Sequence, residues 1–208
     1  MSKQASANPQ GNPQGKGLVP VLEHWQNARP VAVTAKPAAQ ILADYFTTLL
    51  VLSARFSFKP VPGTNYFLYL CEDGWRLSLI SAQEWGARLP GRYVGSCQLR
   101  LDMTWQLALG ENLAQDETIA AALQAFQDGF LELLSTDSPL EDKLPYYVKS
   151  LPFYPRLLAS GLSSSLKQSM QLSGLCARSG QQWLQSAEAR GAINYLPEPT
   201  KTGLAVAN

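Results

Sequence analysis

The chain has 208 residues, of which 16% are charged, and its formal net charge at pH 7 is +1. This balance gives no electrostatic reason to expect a nucleic-acid partner, because phosphate binding requires clustered Lys and Arg. Three cysteines without CxxC spacing argue against a disulfide framework and favour a reducing compartment. The apolar run over 49–52 is far short of the roughly 20 residues that a membrane span needs. We therefore expect a cytoplasmic protein without a membrane span.

Composition divides the chain into four parts. Residues 1–17 contain NPQGNPQGKG, a repeat that cannot bury apolar surface and lacks the apolar segment of a signal peptide. We expect a disordered tail there and a flexible tail over 191–208, where prolines and a glycine interrupt regular structure. Between the tails we expect an α+β core domain over 18–107 and a helical extension over 108–190.

The clearest predicted helix covers 37–56. Proline suits the first helical turn, and the apolar residues that follow recur at helical spacing and form a wide stripe. These residues are Ile41, Leu42, Tyr45, Phe46, Leu49, Leu50 and Leu52. We expect the stripe to cover a sheet, because a small antiparallel sheet without a packed helix is barely stable. A subunit contact is the alternative use of part of this stripe.

A β-hairpin is predicted next, from strands over 66–71 and 75–81. Asp73-Gly74 between them is a pair that type I′ turns prefer, and it predicts that Leu70 faces Leu77 and that Leu68 faces Leu79. These leucines then share the core face, because side chains alternate along a strand. The opposite face is mixed and carries Phe67, Tyr69, Cys71, Arg76, Ser78 and Ile80.

A third strand is predicted over 93–105, where apolar residues at odd positions alternate with polar ones. Such alternation is typical of an antiparallel strand with one buried and one wet face, and it places Asp102 on the wet face. Before this strand, Ser81 and Glu84 have the spacing of a capping box. The predicted fold is therefore α+β, with one helix packed on a three-stranded antiparallel meander and a mainly helical C-terminal extension.

The strands also carry an ordered motif. It consists of an aromatic-Leu-Tyr strand, Ser-x-Ile-Ser-x-x-Glu-Trp-Gly, aromatic-x-Gly and Leu-x-x-Asp-Met-Thr-Trp. The residues concerned are Tyr66, Leu68, Tyr69, Ser78, Ile80, Ser81, Glu84, Trp85, Gly86, Tyr93, Gly95, Leu99, Asp102 and Trp105. This pattern resembles domain of unknown function 2452, a family of bacterial proteins and an uncharacterised animal protein. The resemblance covers roughly residues 12–107 and implies no activity, because the family has none assigned.

The sequence after residue 107 is predicted to be mainly helical. Residues 116–134 form an amphipathic pattern with an acidic start that suits the helix dipole. Residues 144–155 hold three prolines and four aromatics, so we expect an extended or irregular segment there. Residues 157–190 are rich in small residues, which favours close packing of a helix against another helix of this chain or of a second copy.

No complete catalytic or metal-binding arrangement is visible. His24 is the only histidine and has no Cys or acidic cluster at ligand spacing, so we expect a structural role for it and no metal or cofactor. Glu84 and Asp102 are the only two carboxylates inside the motif that could act as acid and base. We expect Glu84 to cap a helix instead. Asp102 is expected to bond a turn amide, Arg100 or Arg76.

These observations favour a non-enzymatic binding or scaffolding module. Tight binding depends on a few buried aromatic or Arg anchors. The candidate binding residues are Trp85, Arg92, Tyr93, Tyr69 and Arg76. The expected partner is an unidentified protein or a second copy of the chain. The alternative is a small-molecule enzyme with Glu84 and Asp102 as acid and base.

Overall fold

The computed structural model of the protein describes residues 29–111, 115–146, 148, 150–185, 191 and 193. Four predicted features lie outside these residues. They are the tail over 1–17, the part of the family resemblance before residue 29, His24, and the tail over 191–208 apart from 191 and 193. The elements are α1 (Ala38–Ser53), β1 (Asn65–Cys71), β2 (Gly74–Ser78), α2 (Ala82–Trp85), β3 (Arg92–Leu99), β4 (Trp105–Leu109), α3 (Glu117–Leu134), α4 (Phe153–Leu172) and α5 (Gly180–Gln185).

The strands form one antiparallel sheet in the order β2-β1-β3-β4. The α+β class is confirmed, but within the described ranges the sheet has four strands where three were predicted. It is also not a simple meander, because β3 pairs with β1 and not with β2. The connection that contains α2 carries the chain past β1, so β2 is left at the edge of the sheet.

The predicted third strand is interrupted by a turn over 100–104, after which β4 begins. The Asp102 carboxylate accepts hydrogen bonds from the Thr104 amide at 3.0 Å and from its hydroxyl at 2.6 Å. Such local side-chain bonds offer the backbone an alternative to strand pairing. Met103 completes the turn with a φ of +66°. The prediction of one long strand was wrong because alternation alone does not reveal this turn.

The hairpin of β1 and β2 forms, but its register differs from the predicted one. Residues 72–73 make the loop, so Leu68 pairs with Leu77 and not with Leu79. Gly74 leaves the loop with a φ of +108°, a conformation that glycine adopts readily. The glycine is therefore needed after the two-residue loop, and the turn lies one residue earlier than predicted.

The end of β2, and not the register, decides which of the four predicted core leucines are buried. Leu68 and Leu77 are buried and Leu70 is half-buried, whereas Leu79 is 55% exposed. β2 ends at Ser78, so Leu79 lies beyond the strand and was wrongly assigned to the core.

Helix α1 covers the core face of the sheet, as predicted. The Trp105 amide at the start of β4 donates to the buried Thr48 hydroxyl of α1 at 3.0 Å. On its other side α1 contacts α3 and α4, and Tyr45 and Phe46 meet Phe130 edge-on with ring centroids 5.3 and 5.2 Å apart. The buried apolar side chains of the sheet and of these helices form one continuous core.

The part after residue 107 is mainly helical, as predicted. Helix α3 begins where its acidic start indicates, because the Asp116 carboxylate caps it by accepting from the Thr118 and Ile119 amides. The described residues of the proline-rich segment have no α-helix until Phe153, where α4 begins with Pro155 in its first turn. Helix α4 packs against α1 of the same chain.

Two glycines provide opposite tests of this packing. A Cβ at Gly95 would lie 2.3 Å from the Ala108 carbonyl oxygen of β4, whereas nothing lies within 4 Å of a Cβ at Gly129 on the exposed side of α3. We predict that Gly95→Ala lowers the free energy of unfolding by about 1–3 kcal/mol through overpacking. Gly129→Ala should raise it by about 0.5–1 kcal/mol, because alanine favours a helix over glycine.

Chemical denaturation of both variants measures these changes. A Gly95→Ala variant as stable as the original protein would show that β3 and β4 do not approach as closely as described.

Candidate functional site

Glu84, one of the two candidate catalytic carboxylates, closes a capping box at the start of α2. Its carboxylate accepts hydrogen bonds from the Ser81 amide at 2.8 Å and from the Ser81 hydroxyl at 2.7 Å, and its own amide donates to that hydroxyl. The bonds from Ser81 lower the pKa of Glu84, so the side chain is a charged acceptor. The predicted capping role is confirmed.

Asp102, the other candidate, is buried and does not lie on a wet strand face. Burial acts to raise its pKa, but hydrogen bonds from Lys36 and Thr104 outweigh burial and lower the pKa. The prediction of a bond to a turn amide is confirmed at Thr104, while the partner that carries the opposite charge is Lys36 and not one of the predicted arginines. Asp102 is thus an ionised group held in a neutralising contact.

Lys36 lies at the centre of a cluster of paired charges. Its ammonium group is 2.6 Å from the carboxylates of both Asp44 and Asp102. Asp44, on α1, also accepts hydrogen bonds from Arg100 at 2.9 Å and from Gln40 at 2.7 Å. Two acidic and two basic groups balance in charge, which is the condition for burying ions without a large penalty.

The backbone of Lys36 extends this cluster to α4. Its amide donates to the Ser173 hydroxyl at 2.9 Å, and the same hydroxyl donates to the Lys36 carbonyl at 2.8 Å. One turn earlier on α4, the Ser169 hydroxyl donates to the Thr34 carbonyl. A single segment before α1 therefore contacts α1, the turn between β3 and β4, and the end of α4.

The two candidate carboxylates do not form an acid and base pair. Asp102 lies in the charge cluster at the core face of the sheet, whereas Glu84 caps a helix on the opposite, outer face. Burial is the largest of the causes that raise the pKa of the nearby Tyr69 to about 12. The charges of Tyr93 and of Glu84 are the smaller causes. Both carboxylates are already engaged in hydrogen bonds that hold turns of the backbone.

Two of the predicted binding residues, Tyr69 and Tyr93, lie together on the outer face. Their ring centroids are 5.7 Å apart, and the Tyr69 hydroxyl donates to the Ile80 carbonyl at 2.9 Å. Tyr69 is fully buried and Tyr93 is half-buried. The pair attaches the segment that leads into α2 to the sheet.

The remaining predicted binding residues are more exposed. Arg92 pairs with Asp116 at 2.8 Å, which links the start of β3 to the cap of α3. Trp85 is partly exposed at the end of α2. Arg76 is exposed on β2 and makes no ion pair with any residue that the structure describes.

A groove of about 720 Å³ lies beside the outer edge of β2. Its lining comes from residues 52–58 at the end of α1 and after it, residues 76–80, and Leu151, Pro152 and Pro155 at the start of α4. Most of these side chains are apolar. The groove was not predicted, because the second strand was expected to continue past Ser78 and to place Leu79 in the core.

The segment after α1 makes a short contact with the edge of β2. The Arg55 amide donates to the Trp75 carbonyl at 2.9 Å, and the Leu77 amide donates to the Arg55 carbonyl at 3.1 Å. Arg55 also binds the loop of the hairpin through an ion pair with Asp73 at 2.6 Å. Beyond Leu77, no other strand or bridge within the described ranges pairs with this edge.

Residues 29–128 match the sequence profile of the family described as "Protein of unknown function (DUF2452)". We refer to residues 29–128, which are similar to this family, as the DUF2452 segment. The match confirms the resemblance found in the sequence and extends beyond residue 107 into α3. No solved structure matches the chain.

The DUF2452 segment contains the whole charge cluster apart from the contact with Ser173. It also contributes two walls of the groove, while the wall that includes Pro152 and Pro155 lies outside it. Among the described residues, no group of three or more His, Cys, Asp or Glu side chains could hold a metal ion. In the same part of the chain, the helices are too short or too polar to cross a membrane.

The structural role of Asp102 in the DUF2452 segment predicts a large loss of stability on substitution. We expect Asp102→Ala to lower the free energy of unfolding by about 3–5 kcal/mol, because the half-buried Lys36 is left with half of its neutralising charge. Glu84→Ala is the control and should change stability far less, since Glu84 is exposed. Urea denaturation measures both. Equal, small losses would contradict the structural assignment of Asp102.

The same carboxylate predicts a pH dependence. The pKa of Asp102 is lower in the folded protein than its ordinary value of 3.8, so its contribution to stability is present above that value and is lost as the pH falls through the folded pKa. The stability difference between the original protein and Asp102→Asn should therefore shrink from about pH 7 to about pH 3. Denaturation curves across this range measure it, and a constant difference would be inconsistent with an ionised, paired Asp102.

Proposed function

We propose that this protein is a non-enzymatic binding module and that its binding surface is the groove beside β2. The observation that carries this proposal is the exposed apolar surface where the edge of β2 ends at the groove, since Leu79 is 55% and Ile80 is 40% exposed. Strand edges are usually protected by charges, bulges or covering segments, because an exposed apolar edge promotes association. Here the contact with Arg55 covers the edge only as far as Leu77.

The shape and composition of the groove favour a binding role. Its volume of about 720 Å³ is within the usual range for binding sites, and a mainly apolar lining with a few polar groups is typical of them. Arg76 is the sequence-predicted binding residue that lines it. Arginine is enriched among residues that dominate binding energy.

The enzyme alternative has no comparable support. A general acid or base needs a free lone pair or proton beside a place for substrate. Glu84 and Asp102 lie on different faces of the sheet and are engaged in a capping box and in a charge cluster. Neither carboxylate lines the groove.

Substitution of Leu79 tests the binding role. We predict that Leu79→Asp lowers recovery of a partner from native lysate at least about tenfold, because a desolvated charge would face the apolar lining. Leu172→Asp is the matched control, since Leu172 has the same exposed fraction of 55% and lies at the end of α4 outside the groove. Circular dichroism of each variant verifies folding before the comparison.

Three outcomes distinguish the groove from the outer face of the sheet as the binding surface. Loss of the partner with Leu79→Asp alone supports the groove. Loss with Trp85→Ala and retention with Leu79→Asp would move the binding surface to the outer face of the sheet. Recovery of no partner by the original protein would contradict the binding role.

A further inference from the structure

We propose that the groove takes an extended peptide segment that pairs with the edge of β2 and places an Asp or Glu side chain against Arg76. This inference rests on the proposed binding role and adds the chemistry of the partner. It follows from three features of the groove, which are its open backbone edge, its apolar walls and its unbalanced positive charge.

The backbone edge offers hydrogen-bonding groups in the arrangement that a strand needs. Arg55 already bonds to the Trp75 carbonyl and the Leu77 amide as one residue of a parallel strand would. Beyond this contact, the remaining group of β2 that points outward along the same edge is the Leu77 carbonyl, because outward groups recur at every second residue and the strand ends at Ser78. An added strand satisfies this carbonyl, which is the basis of recognition by β-augmentation.

The walls suit the side chains of such a strand. Phe56 and Phe58 line one side of the groove, and Pro152 and Pro155 line another. Alternate side chains of an extended peptide lie about 6.6 Å apart and point the same way, so every second residue can face these apolar walls. A helix would instead present its backbone groups internally and would leave the edge of β2 unpaired.

The positive charge of the groove favours an acidic residue in the bound peptide. Among the described residues, the lining contains Arg55 and Arg76 and no Asp or Glu. Arg55 is already paired with Asp73, whereas Arg76 makes no ion pair with a described residue. A carboxylate in the peptide would therefore meet a guanidinium that is free to bind it, in a charge-assisted hydrogen bond.

The position of Arg76 favours a side-chain carboxylate over the end of a chain. Arg76 also lines a second depression of about 700 Å³, together with Glu72, Asp73, Pro90 and Arg92. Arg76 is therefore not at a closed end of the groove, and a peptide can pass it without ending there. A second copy of this chain fits less well, because pairing two β2 edges would bring like charges of Arg76 together.

Selection from a displayed library of random short peptides on the immobilised full chain tests this inference. The expected enriched peptides have apolar residues at every second position and an Asp or Glu. For a synthetic peptide of the enriched sequence, measured by fluorescence anisotropy, Arg76→Gln should weaken binding at least about tenfold. Arg88→Gln is the matched control, because Arg88 is exposed and does not line the groove.

A second peptide tests the backbone pairing. N-methylation at alternate residues removes the one amide that would donate to the Leu77 carbonyl, and it should weaken binding to the same extent as Arg76→Gln. Methylation of the intervening residues should leave binding within about twofold, because every second amide points away from the edge.

Other results would overturn the inference. These are no enriched peptide, enrichment of basic peptides or of apolar residues at helical spacing, and binding that Arg76→Gln leaves unchanged. Dimerisation abolished by Leu79→Asp, with no peptide enriched, would assign the groove to a second copy. If lysate recovery depends on Leu79 while no peptide is enriched, the proposed binding role stands and the extended peptide is wrong.

Discussion

The contact on which the rest of this structure depends is the ammonium group of Lys36 between two buried carboxylates. It joins the segment before α1 to Asp44 of α1 and to Asp102 in the turn between β3 and β4, and the Lys36 backbone holds Ser173 after α4. A buried ion is costly unless it is paired and hydrogen-bonded. These parts of the chain must therefore come together for any of the charges to be buried.

This constraint explains why the family motif contains residues that suggest chemistry but serve the fold. Asp102 holds a turn and neutralises Lys36, Glu84 caps α2, and Gly95 allows two backbones to approach. Each of these residue types also occurs in catalytic sites, so type and spacing alone did not separate the two uses. The separation comes from burial and from the identity of the partner, which only the folded arrangement supplies.

Local signals in the sequence predicted the elements well, and long-range pairing was where prediction failed. The stripe of α1, the capping box and the acidic start of α3 act over three or four residues, which the sequence displays directly. The pairing of Lys36 with Asp102 joins residues 66 positions apart, and the strand order depends on which edge of β1 accepts β3. The groove was missed because the second strand was predicted to continue to residue 81, which placed Leu79 on the core face, whereas β2 ends at Ser78.

A double-mutant cycle on Lys36 and Asp102 tests the central claim most directly. The free energy of unfolding is measured for Lys36→Met, Asp102→Asn and the double variant, with Arg100 and Gln40 still bound to Asp44. The account predicts that the double variant loses less stability than the sum of the single losses, with a coupling of about 1–3 kcal/mol. Additive losses would show that Lys36 does not join the turn to the rest of the fold.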